Sequence, residues 1–309
     1  MSWQDLGVIF PVSQLSDWAA SHAYVPTAIA LDDRIRVFVA FWDANRTGRP
    51  GFIDVDPEDP RKILGYSPRP LIPDSEPGCF DCDGITPLSV VRDGTGLRLY
   101  YAGWRRLDTE ARYTLFTGLA FSHDRGLSFQ RHDRHPVIGP NTPGCTVRTG
   151  GVVLHDQGKW RCWYAEYQGQ ITVGDKTVPS YQLSTMDSAD GIHWPDTSRM
   201  VFPVRPGHIF GYGRSAIWKE QGQYHGLFSI RHVDGGYRYM GYATSPDGYT
   251  WTEPGQEGMA FSAEDTLDGQ KEVCFPGLIF QNGRIIMFYN GNDFGRAGLR
   301  AAIWNSRGI

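Results

Sequence analysis

The sequence predicts an all-β chain wound into a five-bladed β-propeller, with the N-terminal strand completing the C-terminal blade. Two observations carry that expectation. The first is a recurring turn: Ser188-Ala189-Asp190-Gly191-Ile192-His193-Trp194 returns as Ser245-Pro246-Asp247-Gly248-Tyr249-Thr250-Trp251, with a looser copy at Ser122-His123-Asp124-Arg125-Gly126-Leu127-Ser128-Phe129. The tail Ser306-Arg307-Gly308-Ile309 and the head Met1-Ser2-Trp3 together spell a further copy. The text after Trp194 (Met200-Val201-Phe202-Pro203-Val204) matches that after Trp3 (Val8-Ile9-Phe10-Pro11-Val12). A repeat divided between the two termini is what a closed ring requires.

The second observation is a series of paired strand-like runs. Upstream members are Ala28 to Leu31, Ile85 to Val91, Gly151 to Leu154, Ser215 to Lys219 and Gly277 to Phe280. Their partners are Ile35 to Trp42, Leu97 to Trp104, Trp160 to Tyr167, Tyr224 to His232 and Ile285 to Asn290. Turns such as Asp93-Gly94, Gln157-Gly158 and Asn282-Gly283 join them, supplying the φ > 0 positions of tight hairpins. Each unit spans about 60 residues, enough for four strands and generous loops. No stretch carries helical periodicity, and 37 Gly with 20 Pro argue against a helical chain. A single domain over residues 1–309 is expected, with Val8 to Val12 as the outermost strand of the last blade. Leu15 to Ser21 reads as a short helical turn leading into the first complete blade.

Composition narrows the function classes. With 40% apolar and 13% aromatic residues the chain buries a sizeable core. A net charge of −4 gives no case for binding nucleic acid or an anionic membrane. No apolar run approaches the roughly 18 residues of a spanning helix, and Met1-Ser2-Trp3-Gln4-Asp5 lacks the features of a signal peptide. A cytoplasmic protein with reduced cysteines is therefore expected. Cys79 and Cys82 have metal-ligand spacing but no second pair, so the five cysteines read as buried thiols, with no metal and no cofactor.

In a propeller the innermost strands converge on the axis, so their lead-ins line one funnel. Those lead-ins carry His22 and Tyr24, then Asp81 and Asp83, then Arg148, then Tyr212 and Arg214, then Glu272. Asp83 and Glu272, from non-adjacent blades, are the candidate acid and base. His22, Tyr24, Asp81, Arg148, Tyr212, Arg214 and Trp104 are candidate substrate contacts, the two arginines because guanidinium binds phosphate or carboxylate bidentately. Asp43, Glu166, His232 and Asp293 end second strands and form a weaker outer ring. Asp124, Asp190 and Asp247 read as turn-closing residues.

The Ser-x-Asp-Gly-x-x-Trp turns, Val273-Cys274-Phe275-Pro276-Gly277 and Met287-Phe288-Tyr289-Asn290-Gly291-Asn292-Asp293 resemble the five-bladed glycosidase superfamily. The mannoside phosphorylases of glycoside hydrolase family 130 are the nearest echo, with families 43 and 32 more distant. The resemblance implies catalytic carboxylates at inner-strand starts, which here match Asp83 and Glu272. It also shows departures: His22 and Tyr24 stand where the first blade carries Asp in families 43 and 32, and Arg148 where a Glu is usual.

The expected function is cleavage or phosphorolysis of a glycosidic bond in the central funnel, on a small carbohydrate that is anionic or phosphorylated. The competing expectation is a non-hydrolytic propeller that binds an anionic sugar or nucleotide sugar in biosynthesis. A protein-interaction scaffold ranks last, because it would not gather charged groups in the lead-ins.

Overall fold

The structure, a computed structural model, describes residues 2–13, 15–109 and 112–305. Met1 and the tail 306–309, which contribute to the divided copy of the turn motif, lie outside the described residues. The first strand is β1 (Trp3–Pro11). Blade one holds β2 (Ser21–Ala30), β3 (Ile35–Trp42), β4 (Gly48–Val55) and β5 (Ile63–Tyr66). Blade two holds β6 (Gly84–Asp93), β7 (Gly96–Arg106), β8 (Tyr113–Ser122) and β9 (Gln130–Arg131). Blade three holds β10 (Val147–Asp156), β11 (Lys159–Val173), β12 (Lys176–Ser188) and β13 (Arg199–Phe202). Blade four has a divided inner strand, β14 (Ile209–Tyr212) and β15 (Ala216–Glu220), followed by β16 (Gln223–His232), β17 (Tyr239–Ser245) and β18 (Phe261–Ser262). Blade five holds β19 (Cys274–Gln281), β20 (Arg284–Asn290) and β21 (Gly298–Asn305).

The last blade is a four-stranded sheet in the order β1-β21-β20-β19. Trp3 faces Trp304 and Phe10 faces Leu299 across the antiparallel pair, so the first strand covers the edge of the last blade. Asp5 anchors it, its buried carboxylate accepting from Tyr289 Oη at 2.7 Å and from Arg300 at 3.2 Å.

Alternation along each middle strand builds the ring. Val37, Val39 and Phe41 of β3 pack with Ile286 and Phe288 of blade five, whereas Phe38 faces Leu99 and Tyr101 of blade two. Tyr100 then meets Cys162 and Tyr164, Trp163 meets Phe228 and Ile230, and Leu227 meets Met287 and Tyr289. Successive side chains thus serve opposite neighbours, as the strand period of two dictates, and five inter-blade cores close the circle.

The recurring turns lie within these interfaces. Asp190 Oδ1 accepts from the amides of Ile192 and His193 at 2.8 Å, and Asp247 and Asp124 close their turns likewise. Each turn also offers a carbonyl to the preceding blade: Arg36 donates to Arg125 O at 2.9 Å, Arg98 to Asp190 O at 2.5 Å and Arg161 to Asp247 O at 2.6 Å. The motif latches one blade to the next. At the rim of the funnel Gly48 pairs with Gly84, which has φ of 147°, and a Cβ at Gly84 would come within 2.9 Å of the Gly48 nitrogen.

One sequence expectation is corrected. Leu15 to Ser21 forms no helix; a bridge between Ser16 and Ala19, with Ala19 N donating to Ser16 O at 3.1 Å, makes a tight turn instead. Cys145 and Cys274 are buried in separate clusters, Cys145 with Phe80 and Phe116 and Cys274 with Val25, Leu88 and Phe275. Among the described residues no helix is long and apolar enough to cross a membrane.

Candidate functional site

The inner strands leave a central cavity of about 240 Å³. Its wall is largely aromatic: Trp42 and Trp104 end second strands, Tyr113 begins a third strand, and Tyr24, Tyr181, Tyr237, Phe275 and Phe294 complete it. Two arginines, Arg214 and Arg231, also line it. Among the described lining residues there is no carboxylate.

Backbone strain concentrates here. Val25, Phe275 and Phe294 all line the cavity and all have positive φ, at 51°, 60° and 55°. For a β-branched residue such as Val25 this conformation is a true outlier, and such outliers cluster at ligand sites. Asn290 holds the Val25 segment in place: its Oδ1 accepts from Val25 N at 2.8 Å and its Nδ2 donates to Ala23 O at 2.7 Å.

Arg214 sits in the break between β14 and β15 and reaches across the axis. Its Nε donates to Leu88 O at 3.1 Å, and Nη1 donates to Pro276 O. Burial pushes its guanidinium down to about 9, which leaves it charged at neutral pH. Arg231, at the end of β16, donates to Tyr181 Oη at 3.2 Å and lies 4.8 Å from the Phe210 ring centre. The Tyr181 phenol beside it raises its pKa above the ordinary value. Neither arginine has an ion-pair partner among the described residues, although buried cations are normally paired.

The sequence candidates divide. Tyr24, Trp104 and Arg214 line the cavity. Burial pushes the Tyr24 phenol up, and Trp104 Nε1 donates to Thr86 Oγ1 at 3.1 Å. His22 stacks on Trp42 with ring centres 3.9 Å apart, behind that wall, and burial brings its imidazole down to about 4.

Arg148 turns away from the cavity. It donates to Gly139 O at 3.0 Å and Tyr164 Oη at 3.1 Å, with Glu166 3.9 Å distant. Glu166 belongs to the same network: burial raises its pKa, but hydrogen bonds from Ser184 and Ser198 bring it below the ordinary value. Tyr212 packs on Phe202 in the core between blades three and four. Asp81 is buried in an ion pair with Arg131 at 2.8 Å and accepts from Tyr101 Oη at 3.1 Å, which makes it a strut of blade two.

Asp83 and Glu272 are half-buried on their lead-ins and lie outside the cavity wall. Asp83 Oδ2 accepts from Arg106 N at 2.7 Å, and Glu272 Oε1 from Tyr237 N at 3.3 Å. In the outer ring, Asp43 caps the turn at Asn45 and Thr47, with amide contacts of 2.8 and 2.9 Å. Asp293 lies in a left-handed turn, and His232 stands beside Tyr239 with 5.2 Å between ring centres.

Sequence reasoning missed Arg231, Tyr181, Tyr113 and Tyr237. It weighted inner-strand starts, chose His232 rather than the neighbouring Arg231 at the end of the fourth blade's second strand, and did not follow the starts of third strands, which also reach the axis. Trp42 and Trp104, which end the second strands of the first two blades, were the available signal for looking at Arg231 in the fourth.

No family model matches the chain. It is 28% identical over 305 residues to the uncharacterized protein MT1551 of Mycobacterium tuberculosis strain CDC 1551, covering 98% of this chain and 99% of that one. The uncharacterized protein Rv1502 of strain H37Rv matches to the same extent, at 28% identity. Among solved structures, a thermostable family-43 glycoside hydrolase aligns with a TM-score of 0.67 at 14% identity, covering 94% of this chain and 92% of that one. A GH130 glycoside hydrolase acting on β-1,2 mannosidic linkages of Candida mannan gives 0.66 at 15% identity, covering 94% and 86%. The Bombyx mori GH32 β-fructofuranosidase BmSUC1 gives 0.64 at 15% identity, covering 96% and 68%. The chain therefore has the five-bladed propeller fold of the glycoside hydrolase families 130, 43 and 32.

Proposed function

We propose that this chain is a carbohydrate-active, single-domain propeller that takes a small anionic sugar into its central cavity. The observation that carries the reading is the pair Arg214 and Arg231, both lining the cavity and both without a carboxylate partner among the described residues. A ligand carboxylate or phosphate would supply the missing counter-charge, and the aromatic wall would cover the apolar faces of a sugar ring. Calorimetric titration with uronates, sugar phosphates, nucleotide sugars and matched neutral sugars tests it. Anionic members should bind, and Arg231→Ala should cost about 1.5–3 kcal/mol of that binding, the range for a charge-assisted hydrogen bond. Neutral sugars binding as well as anionic ones would overturn it.

A second, catalytic reading is favoured by a separate observation: Asp83 and Glu272 are half-buried on inner-strand lead-ins and neither is ion-paired among the described residues. In that reading one carboxyl protonates the leaving oxygen of a glycoside, and the other activates water or phosphate across the ring. Asp83→Asn and Glu272→Gln should each lower turnover at least about 10²-fold on glycosides with poor leaving groups. Unchanged turnover in both would remove glycosidic cleavage by these residues and leave a binding propeller.

A further inference from the structure

The two cations of the cavity stand at different depths. The bridge from Tyr181 to Gly211 is the blade-four counterpart of the Gly48–Gly84 bridge at the rim, each joining a third strand to the next inner strand. Arg231 belongs to that level: it pairs with Gly211 across β14 and β16, and it donates to Tyr181 Oη at 3.2 Å. Arg214 is held lower, by the carbonyls of Leu88 and Pro276. Leu88 lies four residues past Gly84 along β6, a descent of roughly 10–13 Å at the rise of an extended strand. Arg214 thus joins blades two, four and five across the axis and floors the cavity that Arg231 borders at the mouth.

Both guanidinium groups keep N–H donors for a ligand. Of the several that each carries, Arg214 uses Nε and Nη1 on its two carbonyls, and Arg231 uses Nη1 on Tyr181. Arg214 Nη2 has no protein partner among the described residues and, unlike Arg131 Nη2, is not sealed from the cavity. Burial alone lowers the Arg214 pKa, and a second cation close by would have added to that lowering. The two charges therefore present separate binding points, with no Asp or Glu among the described lining residues to answer either. The volume of about 240 Å³ falls below the roughly 300–1,000 Å³ of most ligand pockets, which suits one ring rather than a chain.

We infer that the cavity selects a single-ring sugar carrying two anionic groups held apart on the ring, one for Arg214 at the floor and one for Arg231 at the mouth. The inference rests on the anionic-sugar reading above and specifies its substrate class. Each guanidinium takes one phosphate or carboxylate through charge-assisted hydrogen bonds, and the ring spans the aromatic wall between them. A ligand with one anionic group answers one cation and leaves the other buried without a counter-charge, which is the costly arrangement.

The test uses a matched series on one ring: D-glucose, D-glucose 1-phosphate, D-glucose 6-phosphate and D-glucose 1,6-bisphosphate, titrated calorimetrically into the full chain and into Arg231→Ala. The bisphosphate should bind at least about tenfold more tightly than either monophosphate, the effect of one further charge-assisted contact. Arg231→Ala should weaken the bisphosphate and one monophosphate at least about tenfold and leave the other monophosphate unchanged, because that one sits on Arg214. A bisphosphate that binds no more tightly than the better monophosphate overturns the inference and leaves the anionic-sugar reading standing. So does an Arg231→Ala variant that weakens both monophosphates alike, or neither. D-glucose binding as tightly as all three phosphates overturns the anionic-sugar reading itself.

Discussion

The Arg148 guanidinium lies 3.9 Å from the Glu166 carboxylate, and both are buried between strands rather than facing the funnel. Arg148 starts an inner strand much as Arg214 follows one, yet only Arg214 reaches the cavity. The reason is pleat: Val147 and Thr149 line the cavity, so the residue between them points to the opposite face. Arg214 escapes that rule because it occupies the break between β14 and β15.

Arg148→Ala should therefore act on stability and not on ligand binding. A loss of about 3 kcal/mol is expected, the low end for breaking a buried charged contact, because Glu166 keeps its bonds from Ser184 and Ser198. Urea unfolding measures the loss, and calorimetry with an anionic sugar should return the parent affinity. A weakened ligand with unchanged stability would restore Arg148 to the binding site.

Asp5 should govern ring closure. Its carboxylate receives Tyr289 Oη, Arg300 Nη2 and the amide of Leu267, at 2.7, 3.2 and 2.9 Å. Asp5→Ala leaves Tyr289 Oη and the Leu267 amide short of an acceptor, while Arg300 keeps Asp268 at 2.7 Å, and is expected to cost about 3 kcal/mol, the low end for breaking a buried charged contact. Deleting residues 1–12 should be worse, since it bares the β21 edge. A truncated chain that melts with the parent would contradict the closure.

His22 should make stability fall in mild acid. Burial holds its imidazole at about 4 in the folded chain against an ordinary 6.5, with Arg296 and Arg46 also opposing its charge and Asp293 favouring it. Between those two values the unfolded state binds the extra proton, so stability is full above pH 6.5 and declines as pH drops towards 4. Melting temperature followed across this window should fall less steeply in His22→Gln than in the parent. Identical slopes would assign the acid sensitivity elsewhere.

Val25 should be unusually tolerant of glycine. Removing its side chain forfeits apolar burial but relieves a positive φ worth roughly 1–2 kcal/mol. Val25→Gly should change stability by less than about 1 kcal/mol, while Val25→Ala, which keeps the strain, should cost more. Chemical denaturation of the two variants decides it, and a more costly glycine would mean that the strain is negligible.

The ring was legible in the sequence because its determinants are local. Asp190-Gly191 and Asp247-Gly248 specify turns, and alternation along runs such as Val37 to Phe41 specifies which neighbour each side chain meets. The site was less legible because convergence is not local. Arg231 and Tyr181 reach the axis from the end of a second strand and from within a third, and Asp81 is diverted by Arg131, 50 residues away in sequence. The lead-in rule located Tyr24 and Arg214, but it could not tell which face of a pleated strand a residue such as Arg148 would take.

The bond between Asp5 and Arg300 joins residues 295 positions apart in sequence. β1 thus waits for β21, and until the last blade has been made it has no edge to pair with. Contacts of such long range are costly in loop-closure entropy and slow to form. Annular closure is then a late event, and until it occurs β1 and β21 each carry an open border that only the other can silence.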